Sequence, residues 1–146
     1  VRAGVDRLVI ANRTPDRAAR LVELLETQRA GVATAAGLDQ SLADELQRAE
    51  LIINTTSVGM HPDAAAQPLE LPALAAGAWV VDIIYNPLET RLLAAARAQG
   101  ARCLNGVDML VHQGALALAR WTGCEPPIAV MREVLVRELE RRAAAH

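Results

Sequence analysis

Short apolar runs alternate with helix-period stretches along this chain, and that alternation is what most constrains its fold. Residues 8–11, 32–35, 51–54, 79–84 and 102–104 read as strands, the second of them short and weak. Helical patterns separate most of them, which predicts a layered α/β fold with a mostly parallel sheet. At 146 residues the chain has the size of one domain and shows no internal repeat or domain boundary.

The helices carry recognisable signals. Thr14 is placed as an N-cap, Pro15 suits the first helical position, and Asp16 faces the positive helix end. Ala18, Leu21, Val22 and Leu25 mark one face of a helix running to about Gln28. A short helix is expected over 41–48, and 61–74 reads as an Ala- and Pro-rich loop with at most one helical turn. Pro87 and Thr90 lead into a helix that stops before Gly100. A further helix covers 107–121, and a last one follows the GCEPP link. Its expected stripe is Ile128, Met131, Val134, Leu135 and Leu139, with Glu133–Arg137 and Glu138–Arg142 at ion-pair spacing.

Composition excludes several partners. A net charge of −2 gives no attraction to nucleic acid or an anionic membrane, and 2% aromatics with no Phe leaves no stacking platform for bases. No uncharged run is long enough to span a bilayer. Cys103 and Cys124 form no CxxC and read as reduced, largely buried thiols of a cytoplasmic protein. All 15 basic residues are Arg.

The stretch IANRTPDRAARL runs from an apolar strand through a polar corner into a helix. In dinucleotide-binding βα units such a strand commonly ends in Asp or Glu, which holds the adenosine ribose and repels a 2′-phosphate. Asn12 removes that repulsion, and Arg13 and Arg17 can make charge-assisted hydrogen bonds to a phosphate. This favours NADP. The other reading is a turn and cap flanked by two solvated arginines.

Three more segments stand at strand ends. NTTSVGM (54–60) has hydroxyls and a glycine suited to close approach by a ribose or nicotinamide, or forms an ordinary polar loop. VVDIIYNPLET places Asp82, Tyr85 and Thr90 around another strand end. NGVDMLVHQGA puts Gly106 at a strand–helix junction, with Met109, Leu110 and Gln113 on one helical face.

Taken in order, NRTxxRA, NTTSxGM, DxxYxPxxT and NGxxMLxxQ resemble the NADP-binding domain of shikimate dehydrogenases over essentially the whole chain. The corner alone is also similar to glutamyl-tRNA reductase. The resemblance implies a Rossmann-like three-layer fold over residues 1–146. It implies that Asn12, Arg13, Thr14 and Arg17 hold the 2′-phosphate, with Arg13 also able to lie against the adenine. It places Thr55, Thr56 and Ser57 near the cofactor, and Met60, Gly106 and Met109 around the nicotinamide. Tyr85 and Gln113 then reach hydroxyl or carboxylate groups of shikimate or 3-dehydroshikimate. Tyr85 as a strand-end cap and Gln113 as a surface amide are the alternatives.

The implied activity is NADP-dependent oxidoreduction in chorismate and aromatic amino-acid biosynthesis. Quinate/shikimate dehydrogenase and a non-catalytic nucleotide-binding module are the competing readings. The sequence departs from the family pattern by lacking a glycine-rich turn, its strand and any Lys, the family's catalytic Lys and Asp belonging to an N-terminal substrate domain. The expected sheet is therefore incomplete, missing a strand between the 8–11 and 51–54 strands, and 1–8 is expected to be a helix tail. We expect a fragment that is inactive alone, needs that N-terminal domain as partner, and is compatible with a homodimer. Asp82 is expected to satisfy backbone at a strand end and His112 to face solvent or a helix neighbour. His61 and His146 have no metal-ligand spacing.

Overall fold

The computed structural model describes residues 4–144. The chain forms two compact units, Val1–Arg48 and Ala49–His146.

In the first unit β1 (Leu8–Ala11) is followed by α1 (Pro15–Glu26), β2 (Ala33–Ala36) and α2 (Gln40–Arg48). β1 and β2 pair in parallel, with Leu8 opposite Ala33 and Ala11 opposite Ala36. Such a pair needs a crossover, and α1 supplies it while packing on both strands. Ala18 is fully buried at that contact, with Val22 and Leu25 half-buried. Leu21, expected on the same face, is exposed. It lies about 60° round the helix from Ala18, beyond what a two-stranded sheet covers. Of the expected helix tail, Val1–Ala3 lie outside the described residues and 4–7 are not helical. Arg7 instead pairs with Glu45 of α2 at 2.6 Å.

The second unit comprises β3 (Leu51–Asn54), β4 (Trp79–Asp82), α3 (Arg91–Ala98), β5 (Arg102–Leu104), α4 (Val107–Thr122) and α5 (Ile128–Ala143). Its sheet has the order β3-β4-β5, all parallel. The two sheets have no strand in common, and β1 and β3 are not partners in either. β4 is shorter than the apolar run suggests. Ile83 N–H still reaches the Asn54 carbonyl at 3.1 Å, but Ile84 N–H turns to the Asp82 carboxylate and leaves the ladder. Residues 61–74 contain no helix.

Alternation along the strands gives this sheet two unlike faces. Val80 and Asp82 point to the side covered by α3, where Leu92, Leu93 and Ala96 are buried, each large apolar side chain contributing about 1.5–3 kcal/mol. On the opposite face Leu51, Ile53, Trp79 and Leu104 remain 37–53% exposed. Arg102 lies over the Trp79 ring at 5.4 Å and shields part of it.

α4 and α5 pack through Val107, Val111 and Leu139, with Tyr85, Leu88, Met131, Leu135 and Val136 against them. The α5 stripe therefore differs from expectation at Val134, which is exposed. Val134 stands about 140° round the helix from Leu139, while Val136 falls within the contact arc. Ile128 shares the arc but sits exposed in the first turn. Both expected ion pairs form, Glu133–Arg137 and Glu138–Arg142. Arg141 joins the latter, and the two guanidiniums hold the Glu138 carboxyl down to about 2. Gly123 ends α4 in the left-handed conformation at φ 69°.

Both cysteines are free. Burial pushes the half-buried Cys103 thiol up. Cys124, expected to be buried, is exposed because it falls in the link between α4 and α5. No helix among the described residues is long and apolar enough to cross a membrane.

Candidate functional site

The corner after β1 is built by backbone that bends away as soon as the ladder ends. Asn12 N–H still bonds the Ala36 carbonyl at 3.2 Å, and the Asn12 side-chain oxygen accepts Thr14 N–H at 2.8 Å. This Asx turn directs the chain into α1, with Pro15 in its first turn. Thr14 occupies the N-cap position, yet its side chain makes no capping bond. Asn12 has taken over the task of fixing the turn, which leaves the Thr14 hydroxyl unengaged.

Arg13, Thr14 and Arg17 are exposed and Asn12 is half-buried. Among the described residues neither the Arg13 nor the Arg17 guanidinium has a hydrogen bond or ion pair, the Arg17 backbone N–H alone bonding the Thr14 carbonyl at 3.0 Å. Two unpaired guanidiniums, a free hydroxyl and a helix N-terminus thus adjoin one strand end. This donor set fits a phosphate, because each partner can turn toward the anion without breaking an existing bond.

In the second unit the remaining predicted residues gather at the carboxyl ends of three adjacent parallel strands, where α/β sheets commonly bind ligands. After β3, the Asn54 side-chain oxygen accepts both the N–H (3.0 Å) and the hydroxyl (2.8 Å) of Thr56. The Thr56 oxygen in turn accepts Val58 N–H at 3.2 Å. Thr56 is therefore a component of the turn, its hydroxyl hydrogen already donated. Thr55 and Ser57 are exposed with side chains uncommitted among the described residues, and Met60 is exposed beside them.

After β4, Tyr85 lies half-buried against the α4–α5 cluster. His61 N–H donates to the Asn86 carbonyl at 2.9 Å, tying the first loop to the second. After β5, Gly106 N–H donates to the Ile84 carbonyl at 2.9 Å. A Cβ on Gly106 would stand 1.9 Å from the Ile83 carbonyl oxygen, so only glycine fits this junction. Met109 and Gln113 follow on α4, both exposed one turn apart.

Asp82 satisfies strand-end backbone as expected, through Ile84 N–H, and also takes Asn54 and Thr90. His112 is exposed, also as expected, and His146 lies outside the described residues. Sequence reasoning missed two residues that shape the loops. Asn54 was read only as the head of a polar loop. Asn105 donates to the Leu88 carbonyl (2.9 Å) and accepts Val107 N–H (3.2 Å), fixing the start of α4. An amide immediately before a strand–helix glycine was the available signal.

Residues 106–136 match the family model described as the shikimate 5′-dehydrogenase C-terminal domain. The NADP(+)-type shikimate dehydrogenase of Geobacillus kaustophilus is 47% identical over 136 residues, covering 93% of this chain and 48% of that protein. A crystal structure of a shikimate dehydrogenase in complex with NADP+ superposes with a TM-score of 0.79 at 37% identity, covering 91% of this chain and 47% of that one. A quinate dehydrogenase from Corynebacterium glutamicum in complex with NAD gives 0.77 at 31% identity, with 92% and 47% covered. The chain spans about half the length of the curated relatives it matches. Over nine tenths of its own residues the chain is similar to shikimate dehydrogenases, and its residues 106–136 match their C-terminal domain.

Proposed function

We propose that residues 1–146 are a partial Rossmann-like NADP-binding domain that supplies the cofactor-binding part of a shikimate dehydrogenase. The observation that carries this reading is the corner after β1, where Arg13 and Arg17 stand unpaired and no carboxylate ends the strand. Asn12, Arg13, Thr14 and Arg17 hold the adenosine 2′-phosphate, and Arg13 can lie against the adenine. Thr55, Thr56 and Ser57 stand near the cofactor, Thr56 through its remaining acceptor lone pair. Met60, Gly106 and Met109 border the nicotinamide.

When bound, NADPH supplies a hydride to the ketone carbon of 3-dehydroshikimate, and the ketone oxygen takes a proton to give shikimate. Tyr85 and Gln113 orient the substrate. Neither side chain has a hydrogen bond within the described residues, so each can give one to a hydroxyl or carboxylate. No side chain here is assigned as the proton donor. The N-terminal substrate domain of the family is the partner this reading requires, and the chain alone is expected not to turn over. A homodimer and a cytoplasmic location belong to the same proposal.

The NAD-bound quinate dehydrogenase among the neighbours supports a second reading, a quinate/shikimate dehydrogenase. One titration separates the two. Shikimate added to the NADP-saturated chain should shift the side-chain resonances of Tyr85 and Gln113 without producing NADPH. Shifts by quinate with NAD but none by shikimate with NADP would favour the second reading. No shift with either substrate would remove the substrate assignment.

A further inference from the structure

The carboxylate of Asp82 is fully buried at the last position of β4 and accepts three hydrogen bonds. Oδ1 takes the Asn54 amide at 3.0 Å and Ile84 N–H at 3.2 Å, and Oδ2 takes the Thr90 hydroxyl at 2.7 Å. Each donor belongs to a different part of the loop system. Asn54 is the register partner of Asp82 and holds Thr56, which holds Val58. Ile84 precedes Tyr85, and its carbonyl accepts Gly106 N–H at the head of α4. Thr90 caps α3 by accepting Leu93 N–H at 3.3 Å. A buried carboxylate is a costly way to finish a strand, since backbone or water could satisfy one N–H. What this one adds is a common anchor for segments that otherwise meet only as loops.

We infer that Asp82 is a positioning residue, setting the 54–60 turn, Tyr85 and the head of α4 in mutual register so that the nicotinamide side of the cofactor meets a preformed surface. The ligand named here rests on the NADP reading above, but the mechanical claim does not. Asp82→Asn keeps the shape while placing an NH2 where one acceptor oxygen was. The donors of Asn54, Ile84 and Thr90 cannot then all be accommodated, and the anchor loosens.

Amide hydrogen exchange and ligand titration of the full chain test this together. In Asp82→Asn, exchange at the Thr56, Val58 and Gly106 amides should accelerate about tenfold beyond any change at the Val80 amide. Affinity for NADP should fall about tenfold, while affinity for adenosine 2′,5′-bisphosphate, which lacks the nicotinamide, should stay unchanged. Leu92→Ala, buried under the same sheet but bonded to none of these groups, is the core-packing control. It should raise exchange across the β3–β5 sheet without the selective pattern and without separating the two ligands. Should Asp82→Asn not fold, Asn54→Ala removes one arm and should release Thr56 and Val58 but spare Gly106. Uniform exchange changes in Asp82→Asn, or equal losses for the two ligands, would overturn the inference. If the wild-type chain bound neither ligand, the cofactor reading would fall, and the exchange pattern would still decide the role of Asp82.

Discussion

Gly106 and Gly114 both sit at α4, eight residues apart, and the backbone treats them oppositely. A methyl group at 106 would meet the Ile83 carbonyl oxygen at 1.9 Å, a contact that only displacement of the β4–β5 crossing can relieve. Gly106→Ala should cost about 3 kcal/mol or more in chemical denaturation. At 114 the nearest atom is the flexible end of Met131, at 3.4 Å. Gly114→Ala should therefore stabilise by about 0.5–1 kcal/mol through helix propensity. The sequence already marked Gly106, since a glycine between strand and helix is a recognised signal. Its cause was hidden, because Ile83 lies 23 residues away and becomes its neighbour only through sheet packing. The same holds for Asp82, readable as a strand-end residue but not as the meeting point of Asn54 and Thr90.

Among the elements, two threonines that look alike in sequence behave differently. Thr14 and Thr90 both precede a helix, but only the Thr90 hydroxyl accepts a bond from its helix and donates one to a buried carboxylate. Thr90→Ala should lower stability by about 1–3 kcal/mol, whereas Thr14→Ala should change it by less than about 0.5 kcal/mol. Equal thermal shifts for the two variants would contradict that division of labour. Among the described residues local periodicity located the strands and helices with ends displaced by a few residues at most, whereas the helix tail expected before β1 is not helical at residues 4–7. What it did not supply was how wide each partner surface is. The two-stranded sheet leaves Leu21 uncovered, and the arc of α4 selects Val136 over Val134.

For the molecule as a whole, order and chemistry along the chain were legible because each strand end carries its own polar signature. The parallel α/β class followed from alternation alone. The division into two units and the bare face of the β3–β5 sheet were not legible, because both depend on which strands lack partners. Leu51 and Ile53 belong to a run that reads in sequence only as an apolar strand, and they are more than half exposed in the fold. A parallel sheet is ordinarily covered on both faces. The first unit carries the proposed cofactor preference, in which the Asn12–Arg17 corner selects a 2′-phosphate. Calorimetric titration of the full chain with NADP and with NAD tests it directly. Two charge-assisted contacts predict that NADP binds at least about tenfold more tightly. Equal affinities, or tighter binding of NAD, would contradict the assignment.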